Sequence, residues 1–213
     1  MKTDDLIALL AQQAQAVPRR SAARRLGLAM ALALPAAVLV MLADYGLRAG
    51  LADSLRQAMA WLKIVLPACV GIAAFVAVER LGRPGVRAGA AWIAMALPVL
   101  VLWLLGLWAW QEAPPAARPA LLWGSTWRTC AFSITAIGLP LFVAAFVVLR
   151  SLAPTRPALA GAAAGALAGG GGAAVYALHC PELAAPFLAV WYVLGMALPV
   201  VVGALLGPRL LRW

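Results

Sequence analysis

Residues 88–110 read AGAAWIAMALPVLVLWLLGLWAW and contain no charged side chain. A helix of this length and apolarity can cross the hydrocarbon core of a bilayer, which needs roughly 20 residues. Similar stretches recur along the chain and predict an all-α integral membrane bundle of six transmembrane helices. The predicted spans are residues 26–43, 61–78, 88–110, 129–149, 158–178 and 184–207.

The composition agrees with a membrane protein. Of the 213 residues, 65% are hydrophobic and 11% are charged, whereas charged residues make up about 25% of soluble domains. Six spans with short loops leave no room for a separate soluble enzyme. The chain therefore divides into an N-terminal segment, residues 1–25, and a transmembrane domain, residues 26–213.

Basic residues cluster on one side of the predicted membrane. Alternating the spans puts both termini and the loops 79–87 and 150–157 on that side, together with most of the 17 Lys and Arg residues. The positive-inside rule then predicts that both termini are cytoplasmic. The net charge of +10 reflects this topology, and we expect no direct contact with nucleic acid. The basic residues on this side are Lys2, Arg19, Arg20, Arg24, Arg25, Arg80, Arg83, Arg87, Arg150, Arg156, Arg209 and Arg212.

Two of the three cysteines are predicted at the opposite, outer surface. Cys130 begins the fourth span, and Cys180 lies in the turn between the last two spans. Cys69 falls inside the second span, where a thiol packs as a small apolar group. Arg128 and His179, the basic neighbours of the outer cysteines, favour the thiolate form, which oxidises and binds soft metals.

The residues leave several roles open for the outer cysteines. They can form a disulfide if their Cα atoms approach within about 7 Å. Cys130, His179, Cys180 and Glu182 together form a candidate metal-ligand set, and two unreactive thiols or a permanent disulfide are the structural alternatives. The sequence lacks a C-x-x-C motif, so we expect no enzymatic activity and no resident cofactor.

The N-terminal segment predicts a short amphipathic helix that ends before Pro18. Acidic residues suit its first turn, and neutral glutamines on the polar face favour a protein partner over a lipid surface. A helix of about 14 residues is marginal alone, so we expect it to dock. The candidate docking residues are Thr3, Asp4, Asp5, Leu6, Ile7, Leu9 and Leu10.

Glycines mark the fifth span. Gly161, Gly165 and Gly169 recur at four-residue spacing and predict close approach of another helix. Prolines about one hundred residues apart in opposed spans, such as Pro35 and Pro140, would suit an inverted repeat. A small transporter or export subunit is therefore the alternative function, although no carboxylate or histidine lies deep in a predicted span.

Several stretches resemble one known family. They are MKTDDLI at residues 1–7, Cys130, HCPE at 179–182, APFLAVWY at 185–192 and LLRW at 210–213. Over its whole length the chain resembles the NrsF-type membrane anti-sigma factors of bacteria.

This resemblance implies a multi-pass protein of the bacterial inner membrane. Such a protein sequesters an extracytoplasmic-function sigma factor and releases it under stress from heavy metals or oxidants. Cys130 and Cys180 match the family's outer cysteine pair, which implies a sensor role. The resemblance also makes segment 1–25 the expected sigma-docking element, and a transient heavy-metal ion would be a signal rather than a cofactor.

Overall fold

The computed structural model describes residues 3–5, 7, 11 and 21–212. Within this part of the chain all regular elements are helical, and six helices are long and apolar enough to cross a membrane. The predicted all-α fold with six spans is confirmed. The six helices are α1 (Ser21–Asp44), α2 (Ala58–Leu81), α3 (Ala91–Glu112), α4 (Trp127–Arg150), α5 (Pro157–Tyr176) and α6 (Ala185–Leu210).

Two connections contain more structure than the sequence predicted. A short helix, Arg118–Trp123, lies in the segment between α3 and α4, and one helical turn, Leu51–Ser54, precedes α2. Helix α6 is also irregular, because the π-helical turn Leu188–Tyr192 interrupts it near its start. Turns of this kind re-aim side chains and occur often at functional sites.

Helix α5 lies at the centre of the bundle and contacts α1, α2, α4 and α6. Of its most apolar stretch, 78% is buried, compared with 22% for α1. Its buried residues are almost all alanine and glycine. Small side chains let helix backbones approach closely, which is how helices associate in lipid. Packing in this bundle therefore depends on α5.

Different glycines of α5 contact different neighbouring helices. A Cβ atom placed on Gly161, Gly165 or Gly169 would overlap the backbone of α6. Gly170 meets the backbone of α2 in the same way, and Gly172 meets that of α4. The close helix approach predicted from the glycine spacing is confirmed, and α6 is the helix that makes it.

The loops that follow α2 and α4 lie together at one end of the bundle, which we call the arginine end (residues 82–90 and 151–156). The amide of Gly85 donates a hydrogen bond to Oγ1 of Thr155, at 3.5 Å. Because successive spans alternate in direction, the loops after the second and fourth spans must lie on the same side, as they do here.

The other end of the bundle, which we call the cysteine end, is formed by residues 45–57, 113–126 and 177–184. The amide of Arg48 donates a 3.2 Å hydrogen bond to the carbonyl of Leu178 and ties two of these segments together. The chain thus alternates between the two ends as the sequence predicts.

Replacing Gly165 by valine should destabilise the bundle by about 1–3 kcal/mol, because overpacking forces α5 and α6 apart. Thermal unfolding of the full-length protein in detergent measures this loss. Gly27→Val is the matched control, since nothing lies within 4 Å of a Cβ at Gly27. Equal melting temperatures for the two variants would contradict the central role of α5.

Candidate functional site

The structure brings Cys130 and Cys180 together at the cysteine end. Cys130 lies in the first turn of α4, and Cys180 lies in the loop between α5 and α6, which we call the cysteine loop (residues 177–184). Both are fully buried, both are free thiols, and the two side chains are close enough to interact with each other. Two cysteines that are far apart in sequence therefore form a thiol pair.

Lys63 holds the cysteine loop over this pair. It projects from the second turn of α2 and is only 2% exposed. Its Nζ donates hydrogen bonds of 2.6 Å to the carbonyl of Cys180 and 2.7 Å to that of Glu182, and it lies 5.4 Å from the centre of the Tyr192 ring. Burying an ammonium group is costly unless it is hydrogen-bonded, so these contacts fix both the lysine and the loop.

Aromatic and hydroxyl side chains complete the surroundings of the thiols. Tyr176, Tyr192 and Ser133 are all buried, and the two tyrosine rings lie 6.0 Å apart. Tyr192 belongs to the π-helical turn of α6. Among the described residues its hydroxyl has no hydrogen-bond partner, although it lies beside Cys180. The thiols are therefore enclosed by groups from α2, α4, α5 and α6.

The cluster favours the charged form of Cys180. A hydrogen bond from Cys130 is the main cause that lowers the pKa of the Cys180 thiol, and the positive charge of Lys63 lowers this pKa further. Burial acts in the opposite direction, because desolvation disfavours a charge. The net result is that Cys180 readily forms a thiolate, which is the reactive form of cysteine.

The basic residues next to the cysteines in sequence make contacts with other groups. The guanidinium of Arg128 lies 5.2 Å from the centre of the Trp127 ring, and Nδ1 of His179 lies 3.1 Å from the carbonyl of Gly46. Lys63 is the cation beside Cys180. The sequence contained a signal for it, because an ionisable residue inside an apolar span marks a functional site by default.

Two of the four predicted metal ligands are used in other contacts. The Glu182 carboxylate accepts hydrogen bonds from the amide and hydroxyl of Ser125, at 2.7 and 2.6 Å, and the His179 ring packs 5.4 Å from that of Tyr45. Within the residues that the structure describes, no three His, Cys, Asp or Glu side chains are placed to hold a metal ion. A four-ligand site would require His179 and Glu182 to leave these contacts.

The predicted docking residues are only partly described. Thr3, Asp4, Asp5 and Ile7 are helical and exposed, with Ile7 58% exposed. These positions agree with the predicted helix. The docking residues Leu6, Leu9 and Leu10 lie outside the described residues, so the apolar face remains a prediction.

These features together describe a six-helix membrane protein that carries a buried thiol pair at one end of its bundle. Residues 10–213 match the family model described as NrsF, negative regulator of sigma F. The chain belongs to this family.

Two curated relatives match the chain from end to end. "Probable anti-sigma-F factor NrsF" of Azospira oryzae is 45% identical over 213 residues, with 100% of both chains covered. "Anti-sigma-F factor NrsF" of Caulobacter vibrioides is 39% identical over 214 residues, again with 100% of both chains covered. No solved structure matches the chain.

A pH series tests the electrostatics of the thiol pair. Between about pH 8 and pH 6 an ordinary thiol loses alkylation rate nearly a hundredfold, because its thiolate fraction falls about tenfold per unit. Since the Cys180 pKa is lowered, its rate with iodoacetamide should fall by less than about tenfold over this range. Peptide mass spectrometry reads the rate, with glutathione as the reference thiol. A parallel decline of both rates would contradict the lowered pKa.

Proposed function

We propose that this chain is a membrane-bound anti-sigma factor that sequesters an extracytoplasmic-function sigma factor at the bacterial inner membrane. Family membership and the names of two full-length relatives support the regulatory role. The six apolar helices support the membrane location. Such a protein acts by binding a protein partner, so its role is regulatory rather than enzymatic.

The arginine end is assigned to the cytoplasm. The loops gathered there carry Arg83, Arg87 and Arg156. Arg80 and Arg150 lie in the last turns of the helices that lead into them. Positive charge of this kind stays on the cytoplasmic side. The protein is then multi-pass with both termini inside. The cysteine end faces the periplasm, which is oxidising enough for thiols to react.

The N-terminal segment, residues 1–25, is assigned to sigma docking. The described residues Thr3, Asp4, Asp5 and Ile7 are helical and exposed, and a short exposed helix gains stability by docking into an apolar groove. Leu6, Leu9 and Leu10 would supply the buried face. A sigma factor held through this helix would be unable to reach RNA polymerase.

Cys130 and Cys180 are assigned to stress sensing. Their contact across two elements supports this role, because a disulfide or a bound soft metal would change how α4 and the cysteine loop fit together. The loop continues directly from α5, whose glycine contacts leave little freedom for small adjustment. Packed helices respond to such changes by shifting between discrete arrangements, and the shift would lower the affinity for the sigma factor at the other end.

A pull-down from detergent tests the partner and the docking element together. Full-length protein should retain a sigma factor that mass spectrometry identifies, and a variant without residues 2–17 should not. Retention by both would move the contact to the basic loops of the arginine end. Retention by neither would contradict the anti-sigma role and favour the transporter alternative.

Replacing Leu6 and Leu10 by aspartate should release the sigma factor, because the charges cannot enter an apolar groove. A sigma-dependent reporter should rise to the level of a deletion strain, while the amount of protein in the membrane stays the same. Gln12 and Gln15 replaced by aspartate add the same charge to the polar side of the predicted helix and should leave the reporter silent. Unchanged sequestration by the leucine variant would exclude this docking face.

Replacing Cys130 and Cys180 by serine should keep the sigma factor bound but abolish induction by oxidant or heavy metal. The reporter measured against stress concentration gives the response. Cys69→Ser is the matched control, since Cys69 is exposed on the bundle surface away from the pair. Normal induction in the double variant would reduce both cysteines to structural thiols.

A further inference from the structure

Lys63 is an unusual residue for this position. It is the one charged side chain that is buried within the described part of the chain, and the ion pairs found there join other residues, Arg56 with Asp53 and Arg83 with Glu79. Its hydrogen-bond acceptors are carbonyls, which carry no net charge. A buried ammonium group is normally paired, so its electrostatic partner must be sought among the groups that enclose it.

The thiol pair can supply that partner. Glu182 turns its carboxylate to Ser125 and gives Lys63 only its carbonyl. Lys63 interacts electrostatically with Cys180 and more weakly with Cys130. A thiolate on Cys180 would therefore neutralise the buried lysine.

The two thiols are not equivalent in this environment. Sγ of Cys180 lies 4.0 Å from Oγ1 of Thr126 and beside the hydroxyl of Tyr192, so it has hydroxyl groups nearby as well as the ammonium. Cys130 lies in the first turn of α4 and has Cys180 as its hydrogen-bonding neighbour. Groups that stabilise a negative sulfur thus gather at Cys180.

We propose that Lys63 makes Cys180 the thiol that reacts first, with a neutral or anionic electrophile such as a hydroperoxide, and leaves Cys130 to complete a disulfide. This proposal rests on the proposed sensing function and specifies its chemistry. Lys63 acts as a positioning residue, because it holds the Cys180 backbone and supplies the positive charge beside the sulfur.

The oxidation takes two steps. The Cys180 thiolate attacks one peroxide oxygen, the O–O bond breaks, and Cys180 becomes a sulfenic acid once the departing alkoxide takes a proton. The Cys130 sulfur then attacks the Cys180 sulfur, the S–O bond breaks, and water leaves as the disulfide forms. Two electrons pass from the two thiols to the hydroperoxide, which is reduced to an alcohol and water.

The disulfide also removes the negative charge from the cluster. Lys63 then retains only the carbonyls of Cys180 and Glu182 while it remains buried. An ammonium group without a counter-charge is costly to bury, so the closed arrangement of α2 and the cysteine loop loses stability. The lysine thereby connects the state of the thiols to the position of a helix.

Charged thiol reagents test the proposal on the unaltered protein. Full-length protein in detergent is treated with anionic sulfonatoethyl or cationic trimethylammonioethyl methanethiosulfonate, and peptide mass spectrometry follows each cysteine. Each rate is divided by the rate of the same reagent with 2-mercaptoethanol. We expect Cys180 to be modified before Cys130, and the anionic reagent to be favoured about tenfold over the cationic one on this normalised scale because of the nearby ammonium. Modification of Cys130 first, or equal normalised rates for the two reagents, would overturn the proposal.

Variants of Lys63 separate its charge from its packing. Lys63→Met should lower both the preference for the anionic reagent and the ratio of the Cys180 rate to the Cys130 rate, because the ammonium beside the Cys180 sulfur is then gone, while the interaction with Cys130 remains. Lys63→Arg should restore part of the preference. Arg56→Met removes a charge from an exposed side chain at the same end and should change neither ratio.

The decisive measurement is the ratio of the Cys180 modification rate to the Cys130 modification rate. A variant that merely opens the cysteine loop exposes both thiols and raises both rates, so it leaves this ratio nearly unchanged. A Lys63→Met protein that keeps its melting temperature and the original ratio would overturn the proposal. If Lys63→Met does not fold, the reagent comparison on the unaltered protein still decides. Pull-down of the sigma factor is measured separately. A failed anti-sigma role appears as no retained sigma factor, whereas a failed proposal appears as Cys130 reacting before Cys180.

Discussion

The close backbone contact between α5 and its neighbours is the constraint on which the bundle depends. In lipid there is little hydrophobic gain from bringing helices together, so association rests on packing at short range. The glycines and alanines of α5 provide that packing toward α2, α4 and α6. A larger side chain at these contacts would meet backbone atoms, which cannot rotate away as a flexible side chain can. The centre of the bundle therefore fixes the positions of the helices around it.

This constraint also places the thiol cluster. Lys63, Cys130 and Tyr192 belong to α2, α4 and α6, the three helices that meet the glycines of α5. Cys180 follows the end of α5 by a few residues, so the cluster lies where the four helices converge. Chemistry at the thiols then acts on helices that have few ways to absorb a small displacement. Close-packed interiors transmit strain for this reason, and a discrete shift of helices is the expected response.

The sequence predicted the helices well because span length and apolarity are local properties. The glycine stripe was equally readable, since four-residue spacing fixes one face of a helix. Topology put Cys130 and Cys180 at the same end, but their contact depends on the path of the cysteine loop. Side-chain directions in that loop also decided that His179 turns to Gly46 and Glu182 to Ser125. Lys63 carried a local signal, because a lysine inside an apolar helix requires a buried partner, but the identity of that partner again depends on the path of the cysteine loop.

The hydrogen-bond acceptors of Lys63 are carbonyl groups rather than a carboxylate, and this difference determines how the lysine charge is neutralised. A carboxylate would neutralise the lysine permanently, and the stability of the closed loop would then be independent of the thiols. Carbonyl groups accept the hydrogen bonds of the ammonium but do not neutralise its positive charge. Neutralisation of the buried lysine therefore depends on a thiolate at Cys180. If a partner binds the closed arrangement more tightly at the arginine end, linkage requires that binding to oppose thiol oxidation by the same free energy, typically about 1–3 kcal/mol. A bound sigma factor would thus protect the thiols against weak oxidants, and its release would make their oxidation more favourable.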